Sequence, residues 1–169
     1  MRYLIRQLGP EDAKAYRAIR LAALAGDPAA FASDAETERA RPLDWYAQGT
    51  STATVLVAFD GETPIAMAGL FRSERPKTAH IATVFGVYVE PHYRGQGLAK
   101  ALMAEVVRTR PAEVIQLHLG VATNNIGALS LYKRLGFEIY GTEPRALRVE
   151  GRFIDEHLMV RFLDRDQKT

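Results

Sequence analysis

The stretch 84–110, VFGVYVEPHYRGQGLAKALMAEVVRTR, decides the fold. An apolar, β-branched run ends at a proline, a basic turn with two glycines follows, and an amphipathic helix comes next. This order predicts a strand, an anion-binding turn and a helix. Gly95 and Gly97 let the backbone take restricted conformations and let a ligand approach closely, while Arg94 and Lys100 add positive charge. Because a helix starts with unpaired N–H groups, the turn favours a phosphate.

Two common nucleotide-binding patterns do not fit this turn. A mononucleotide P-loop needs Lys-Ser/Thr after the second glycine, where this chain has Leu-Ala, and the dinucleotide fingerprint needs a glycine in place of Lys100. The turn instead resembles the acyl-CoA turn of the GCN5-related N-acetyltransferases (GNAT superfamily), whose Arg/Gln-x-x-Gly-x-Gly/Ala pattern is carried by Arg94, Gly97 and Ala99. Residues 87–91 are similar to the end of that family's strand. The alternative is a loop that merely connects a strand to a helix.

A second block, 125–137 (NIGALSLYKRLGF), resembles the other signature of the family. That signature reads Asn-x-x-Ala-x-x-Leu-Tyr and is followed by a Gly-Phe helix stop. The alternative is an ordinary amphipathic helix with Gly136 as its C-cap and an apolar face turned to a core, formed by Ile126, Leu129, Leu131 and Leu135. Such a helix by itself requires neither Asn125 nor Tyr132. Two signatures in the right order indicate the family more strongly than one.

Composition limits the class of protein. A chain of 169 residues with 47% hydrophobic and 25% charged residues suits one globular domain, predicted over residues 1–169. It has no Cys, which excludes disulfides, thiolate metal sites and an acyl-cysteine mechanism. The four His lack metal-ligand spacing, so we expect no metal. The net charge of +2 does not favour nucleic acid, and no apolar run is long enough for a membrane helix, so we expect a cytoplasmic protein that binds neither.

The rest of the chain predicts alternating strands and helices. Strands are expected at 3–8, 54–59, 64–71, 79–89, 114–121, 137–142, 146–149 and 152–163. Helices are expected from Pro10 to about Gly26, at 97–109 and 125–135, with a short one at either 35–40 or 43–47. Residues 54–71 should form an antiparallel hairpin, and the strands around helix 97–109 should be parallel. The charged tail 164–169 should be frayed.

The resemblance implies a fold and a reaction. The fold is a mixed, mostly antiparallel α/β sheet with helices on both faces and a splayed parallel strand pair. The reaction is direct attack of a neutral amine on the thioester of acetyl-CoA in a ternary complex, without a metal. The same resemblance implies that the cofactor is bound by Val87, Tyr88, Val89, Arg94, Gly95, Gln96, Gly97, Leu98, Ala99, Lys100, Asn125, Ala128 and Tyr132. Tyr132 is also the implied general acid, with an ordinary phenol pKa near ~10.

The resemblance does not provide a general base. Ribosomal-protein acetyltransferases of the superfamily carry a Glu at the place that Gly120 occupies here. His118, on the same strand face, is the candidate base, acting directly or through water. The alternatives are that His118 is a packing residue, the commoner role of a strand histidine, and that ordered water alone removes the proton.

The acceptor pocket of the family is lined by the first helix connector and the C-terminal strand loops. Phe31 and Glu36 are the candidate substrate-binding residues of this chain. Further acids in these segments are Asp34, Glu38, Asp155 and Glu156. They suit a cationic amine, or they form a solvated charged face.

The implied function is N-acetylation of the primary amine of a small molecule. The alternatives are acetylation of a protein N-terminus or lysine, and a non-catalytic acyl-CoA sensor. The expected partners are acetyl-CoA and an amine acceptor, and a homodimer is left open.

Overall fold

The computed structural model describes residues 3–164. The chain forms two compact units. The first contains the chain up to Phe71 together with Phe85–Arg110, and the second contains Arg72–Val84 together with the chain from Pro111 onward. The single N-acetyltransferase domain over residues 1–169 stays a prediction.

The first unit begins with a short strand and a helix, as the sequence predicted. Its elements are β1 (Leu4–Gln7), α1 (Ala13–Gly26), α2 (Ala35–Arg39), α3 (Leu43–Thr52), β2 (Thr54–Asp60), β3 (Thr63–Arg72, up to Phe71), the last part of β4 (Ile81–Val89) and α4 (Leu98–Thr109). The chain between α1 and β2 was expected to contain one short helix, at either of two places, and it contains a helix at both. β2 and β3 form the predicted antiparallel hairpin.

The core of the first unit lies between its helices and its strands. Tyr16 and Ile19 on α1 pack into one buried cluster with Tyr46 of α3 and Met67 of β3. The rings of Tyr16 and Tyr46 meet edge to face at 5.7 Å between centroids, a favoured aromatic arrangement.

The second unit contains the start of β4 and four further elements: β5 (Gln116–Ala122), α5 (Ile126–Arg134), β6 (Glu138–Val149) and β7 (Arg152–Phe162). The parallel pairing of β4 with β5 is short and joins Ile81–Thr83 to Gln116–His118. β7 lies antiparallel between β5 and β6. Leu117, Leu119 and Val121 of β5 are buried, as an alternating strand places them.

The sheet has the strand order β1-β2-β3-β4-β5-β7-β6. The pairs β1/β2, β2/β3, β5/β7 and β6/β7 are antiparallel, and β4/β5 is parallel. The predicted mixed, mostly antiparallel α/β fold is therefore confirmed.

Several local predictions differ from the structure. The strands expected at 137–142 and 146–149 form one strand, β6, whose register with β7 shifts between Glu143 and Leu147. In that shift Arg145 has φ 55°, and a bulge of this kind looks like a turn in the sequence. Ile126 was expected to face a core but is 67% exposed. In the predicted tail, 165–169 lie outside the described residues.

Candidate active site

The anion-binding turn predicted in the first unit is formed. After β4 a single 3₁₀ turn, Pro91–Tyr93, leads into two glycines with φ of 75° (Gly95) and 80° (Gly97). Both values lie in the left-handed region that favours glycine. Gly97 is the N-cap of α4, so the helix begins directly at the turn.

This turn leaves space and hydrogen-bond donors free for a ligand. A Cβ placed on Gly95 or Gly97 would meet no atom within 4 Å. Within the described part of the chain, no acceptor pairs with the backbone N–H of Leu98, Ala99 or Lys100, which are donors of the first helical turn. The turn therefore has the shape and the polarity that a phosphate group needs.

The predicted cation Arg94 contributes to holding the turn in place. Its Nε donates to the carbonyl oxygen of Val89 at 2.9 Å, and its guanidinium lies 5.8 Å from the ring centroid of Tyr88. Its backbone N–H donates to the Pro91 carbonyl at 3.2 Å. Gln96 likewise donates its side-chain amide to the carbonyl of His92 at 3.2 Å. Of the groups predicted to bind phosphate, the Arg94 backbone N–H therefore already has a partner, whereas Lys100 is exposed.

The strand before the turn contains an irregularity that the sequence analysis missed. Gly86, inside β4, has φ 64°, and a Cβ there would lie 2.9 Å from the Cε of Met67. The positive φ favours glycine at this position, and a side chain here would also displace the flexible end of Met67. Val87 and Val89, predicted to offer main-chain groups to the cofactor, are half-buried, and the side chain of Tyr88 belongs to the core cluster of the first unit.

In the second unit, Asn125 has a structural role of its own. It is the N-cap of α5, and its Oδ1 accepts the backbone N–H of Ala128 at 3.1 Å. The helix therefore does require a residue such as Asn at this position, contrary to the expectation from the sequence. The cap uses the side-chain oxygen and leaves the amide nitrogen of Asn125 as a donor.

The proposed acid, Tyr132, is the buried residue of α5 and is 7% exposed. Its ring contacts Phe137 edge to face at 5.9 Å between centroids, which gives this tyrosine a packing role as well. Burial raises the pKa of the Tyr132 phenol well above its ordinary value. The expectation of an unperturbed pKa was therefore wrong, because burial disfavours the phenolate.

His118 lies on β5 beside other polar groups. The side-chain amide nitrogen of Gln116 is 2.6 Å from Nε2 of His118, and the ring centroid of Tyr140 is 5.4 Å from that of His118. An amide nitrogen donates, so Nε2 accepts and its lone pair is in use. Burial first, and then the nearby His80, lower the pKa of His118. His118 is thus neutral near pH 7, with one nitrogen already bonded.

The acids predicted around the acceptor have different roles in the first unit. Asp34 caps α2 by accepting the N–H of Thr37 at 2.8 Å. Glu38 is 4% exposed and forms a two-point ion pair with Arg20, at 3.0 Å and 2.8 Å. Glu38 is therefore occupied by Arg20, whereas the exposed Asp34 uses one carboxylate oxygen for the cap. An acidic lining of the acceptor pocket stays a prediction. Glu36 is exposed.

Phe31 and the acids of the C-terminal strands complete the set of predicted acceptor residues. Phe31 lies under the guanidinium of Arg20, 5.3 Å from the ring centroid. In the second unit, Asp155 accepts the backbone N–H of Arg145 at 2.7 Å. Glu156 is half-buried on β7.

Two further features bear on the class of protein. No helix among residues 3–164 is both long enough and apolar enough to cross a membrane. The described side chains include no group of three or more His, Asp or Glu that could hold a metal ion, and the absence of a metal stays a prediction.

The chain belongs to the acetyltransferase (GNAT) family. The sequence profile of that family matches residues 18–137, a range that includes both signature blocks. The family predicted from the two blocks is confirmed, and the chain is a member of a family of enzymes that transfer acetyl groups.

Two known relatives agree with this assignment, and one solved structure shares the fold. The chain is 33% identical over 90 residues to an L-amino acid N-acetyltransferase of Escherichia coli, and the match covers 52% of this chain and 55% of that protein. It is 30% identical over 165 residues to an L-methionine sulfoximine/L-methionine sulfone acetyltransferase of Pseudomonas paraeruginosa, covering 95% and 94%. A Salmonella typhimurium protein solved with its cofactor acetyl-CoA shares the fold, with a TM-score of 0.77, 23% identity and coverage of 97% and 95%. The first of these relatives is thus matched over about half of its length.

Proposed function

We propose that this chain transfers the acetyl group of acetyl-CoA to the primary amine of a small molecule, by direct attack in a ternary complex. The observation that carries the proposal is the turn at Gly95 and Gly97. It combines open space, left-handed glycines and unpaired helix N–H groups, and it occurs in a chain of the acetyltransferase (GNAT) family.

The residues of the turn fit a pyrophosphate. The backbone N–H groups from Gly95 to Lys100 would bind it, and the exposed ammonium of Lys100 would add charge. The main chain of Val87 and Val89 would hold the pantetheine arm. Acetyl-CoA supplies an activated acyl group, and the chain supplies positioning and proton transfer.

The second unit would supply the groups that act on the arm and on the leaving sulfur. The amide nitrogen of Asn125 remains a donor after capping α5, so it can bond the arm. Ala128, on the same helix, would be a small residue in contact with the cofactor. Tyr132 would give its phenol proton to the departing sulfur. Its raised pKa keeps the phenol protonated at neutral pH, although it also makes the phenol a weaker acid.

A small amine is the favoured acceptor. The two relatives reported above carry names that place their substrates among L-amino acids, L-methionine sulfoximine and L-methionine sulfone. An α-amino group on a compact molecule is common to these compounds. Phe31 and Glu36 remain the candidate contacts of the acceptor on the first unit.

The test is a CoA-release assay on purified protein. Acetyl-CoA is mixed with single amines from a panel of L-amino acids, L-methionine sulfone and short peptides, with an amine-free reaction as control. We expect amine-dependent release that is fastest with a small amine. Faster release with peptides would favour protein acetylation. If acetyl-CoA raises the melting temperature more than ATP does but no amine is acetylated, the chain is a sensor.

A further inference from the structure

A glycine on β5 faces a carboxylate that comes from the neighbouring strand. Gly120 pairs with Leu158 of β7, and Ala122 pairs with Glu156. A Cβ placed on Gly120 would lie 3.2 Å from Oε2 of Glu156. Residue 120 itself has no carboxylate, but the carboxylate of Glu156 lies next to the space that a side chain at this position would occupy.

The backbone of Gly120 does not need a glycine. It is not one of the residues with positive φ, so a side chain there would cause no backbone strain. Such a side chain would contact the carboxylate of Glu156. Because Gly120 has no side chain, nothing from this position covers the carboxylate of Glu156. Gly120 lies on β5, the strand that also carries His118.

The carboxylate of Glu156 is free to accept a proton. No donor or cation among residues 3–164 pairs with it, whereas its neighbour Asp155 accepts the N–H of Arg145. Thr142 bonds His157, the neighbour on the other side, at 2.9 Å. Half-burial without a counter-ion makes the protonated form more favourable than it would be in water.

The charged group that faces Glu156 across the strand pair is Glu143 of β6. From β5 it faces Gly120 and Ala122, which do not titrate. Burial, and then the repulsion of Glu143, raise the pKa of Glu156. A carboxylate with a raised pKa is a stronger base than an ordinary one, which suits proton transfer from an ammonium ion.

We propose that Glu156 is the general base that deprotonates the ammonium group of the acceptor. This inference rests on the proposed function. One ammonium proton moves to the carboxylate of Glu156 and then to water. The nitrogen lone pair forms the N–C bond with the acetyl carbonyl, and the C–S bond breaks with its electron pair on sulfur. Sulfur takes the phenol proton of Tyr132, and the second proton lost by nitrogen restores that phenol.

The test compares Glu156→Gln with Glu138→Gln, which removes an exposed carboxylate from β6. Steady-state rates are measured with the best amine of the panel. We expect kcat/KM of Glu156→Gln to fall roughly 10²–10⁴-fold, the usual effect of losing a general base. The Glu138→Gln variant should keep the wild-type value. Both should keep the acetyl-CoA melting shift, which shows that they are folded.

The pH profile distinguishes a base from a residue that merely attracts the ammonium ion. In the wild type, kcat/KM should fall as pH drops through the raised pKa of Glu156, because the base must be ionised. Glu143→Gln should move this fall to lower pH, since one repelling charge is gone. In Glu156→Gln the rate should instead rise about tenfold per pH unit, because only the scarce neutral amine reacts.

The position of the carboxylate can also be tested by moving it. In the double variant Gly120→Glu with Glu156→Gln, a carboxylate enters the same space from β5, so part of the lost activity should return. No rescue, together with an unchanged kcat and a raised KM in Glu156→Gln, would overturn the role as base. A wild-type rate that does not depend on any amine would overturn the proposed function itself and the base with it.

Discussion

Replacing Tyr132 by Phe separates the chemistry of this residue from its packing. The change keeps the ring that contacts Phe137 and removes only the hydroxyl. Among residues 3–164, that hydroxyl has no hydrogen-bond partner. The free energy of unfolding should therefore change by less than about 1 kcal/mol, because no protein hydrogen bond is lost.

The effect on catalysis should be much larger. Losing one general acid costs roughly 10²–10⁴-fold in rate, or about 3–5 kcal/mol of transition-state stabilisation. Both kcat and kcat/KM should fall by the same factor, since the proton is transferred only in the transition state. The raised pKa of Tyr132 also predicts that the wild-type rate does not fall up to about pH 10, because the phenol stays protonated.

The assay is CoA release with the best amine, alongside urea denaturation and the melting shift with acetyl-CoA. Tyr140→Phe is the matched control, because it makes the same change at a tyrosine of β6 that is 55% exposed. A folded Tyr132→Phe variant that binds acetyl-CoA and turns over within a few-fold of the wild type would refute the role as acid. Water or another group would then protonate the sulfur.

Two further substitutions test the turn and the core of the first unit. Gly97→Val should lower the free energy of unfolding by about 1–3 kcal/mol, because φ is 80° there. It should also abolish the melting shift with acetyl-CoA. The control is Gly61→Val, at φ 59° in an equally open hairpin turn, which should lower the stability by a similar amount and keep the melting shift. Tight binding of acetyl-CoA by Gly97→Val would mean that the turn at Gly95 and Gly97 is only a connector. Glu38→Gln should lower the free energy of unfolding by about 3–5 kcal/mol in urea, because it leaves Arg20 buried without its counter-charge. Glu36→Gln, on the exposed side of the same helix, is its control, and equal stability of the two variants would show that the buried pair contributes little.

Several features that depend on neighbouring residues could be predicted from the sequence. The turn at Gly95 and Gly97 could be predicted because its glycines, its charges and the helix that follows are adjacent in the chain. The hairpin of β2 and β3 and the parallel pair formed by β4 and β5 follow from turn residues and from a crossover helix in the same way.

Features that depend on distant residues could not be predicted. The pair of Arg20 and Glu38 joins two helices, so its carboxylate looked like part of an exposed acidic run. The contact of Gly120 with Glu156 depends on the register of β5 and β7, which no local pattern specifies. The raised pKa of Tyr132 comes from burial, which is a property of the folded chain.

The exposed Ile126 shows a limit of helix periodicity. The apolar pattern of α5 predicted an inward face, but Tyr132 is the buried residue of this short helix. A pattern gives the spacing of apolar residues, whereas burial depends on what covers each of them.

The most direct measurement of the central claim is the transfer of a labelled acetyl group. Wild-type protein is incubated with acetyl-CoA labelled in the acetyl group and with L-methionine sulfone or an L-amino acid, and the products are identified by mass spectrometry. We expect the label on the amine nitrogen of the small molecule, in amounts equal to the CoA released. Label that stays on acetyl-CoA with every amine, or that is found only as free acetate, would contradict the claim that this chain is an N-acetyltransferase of small amines.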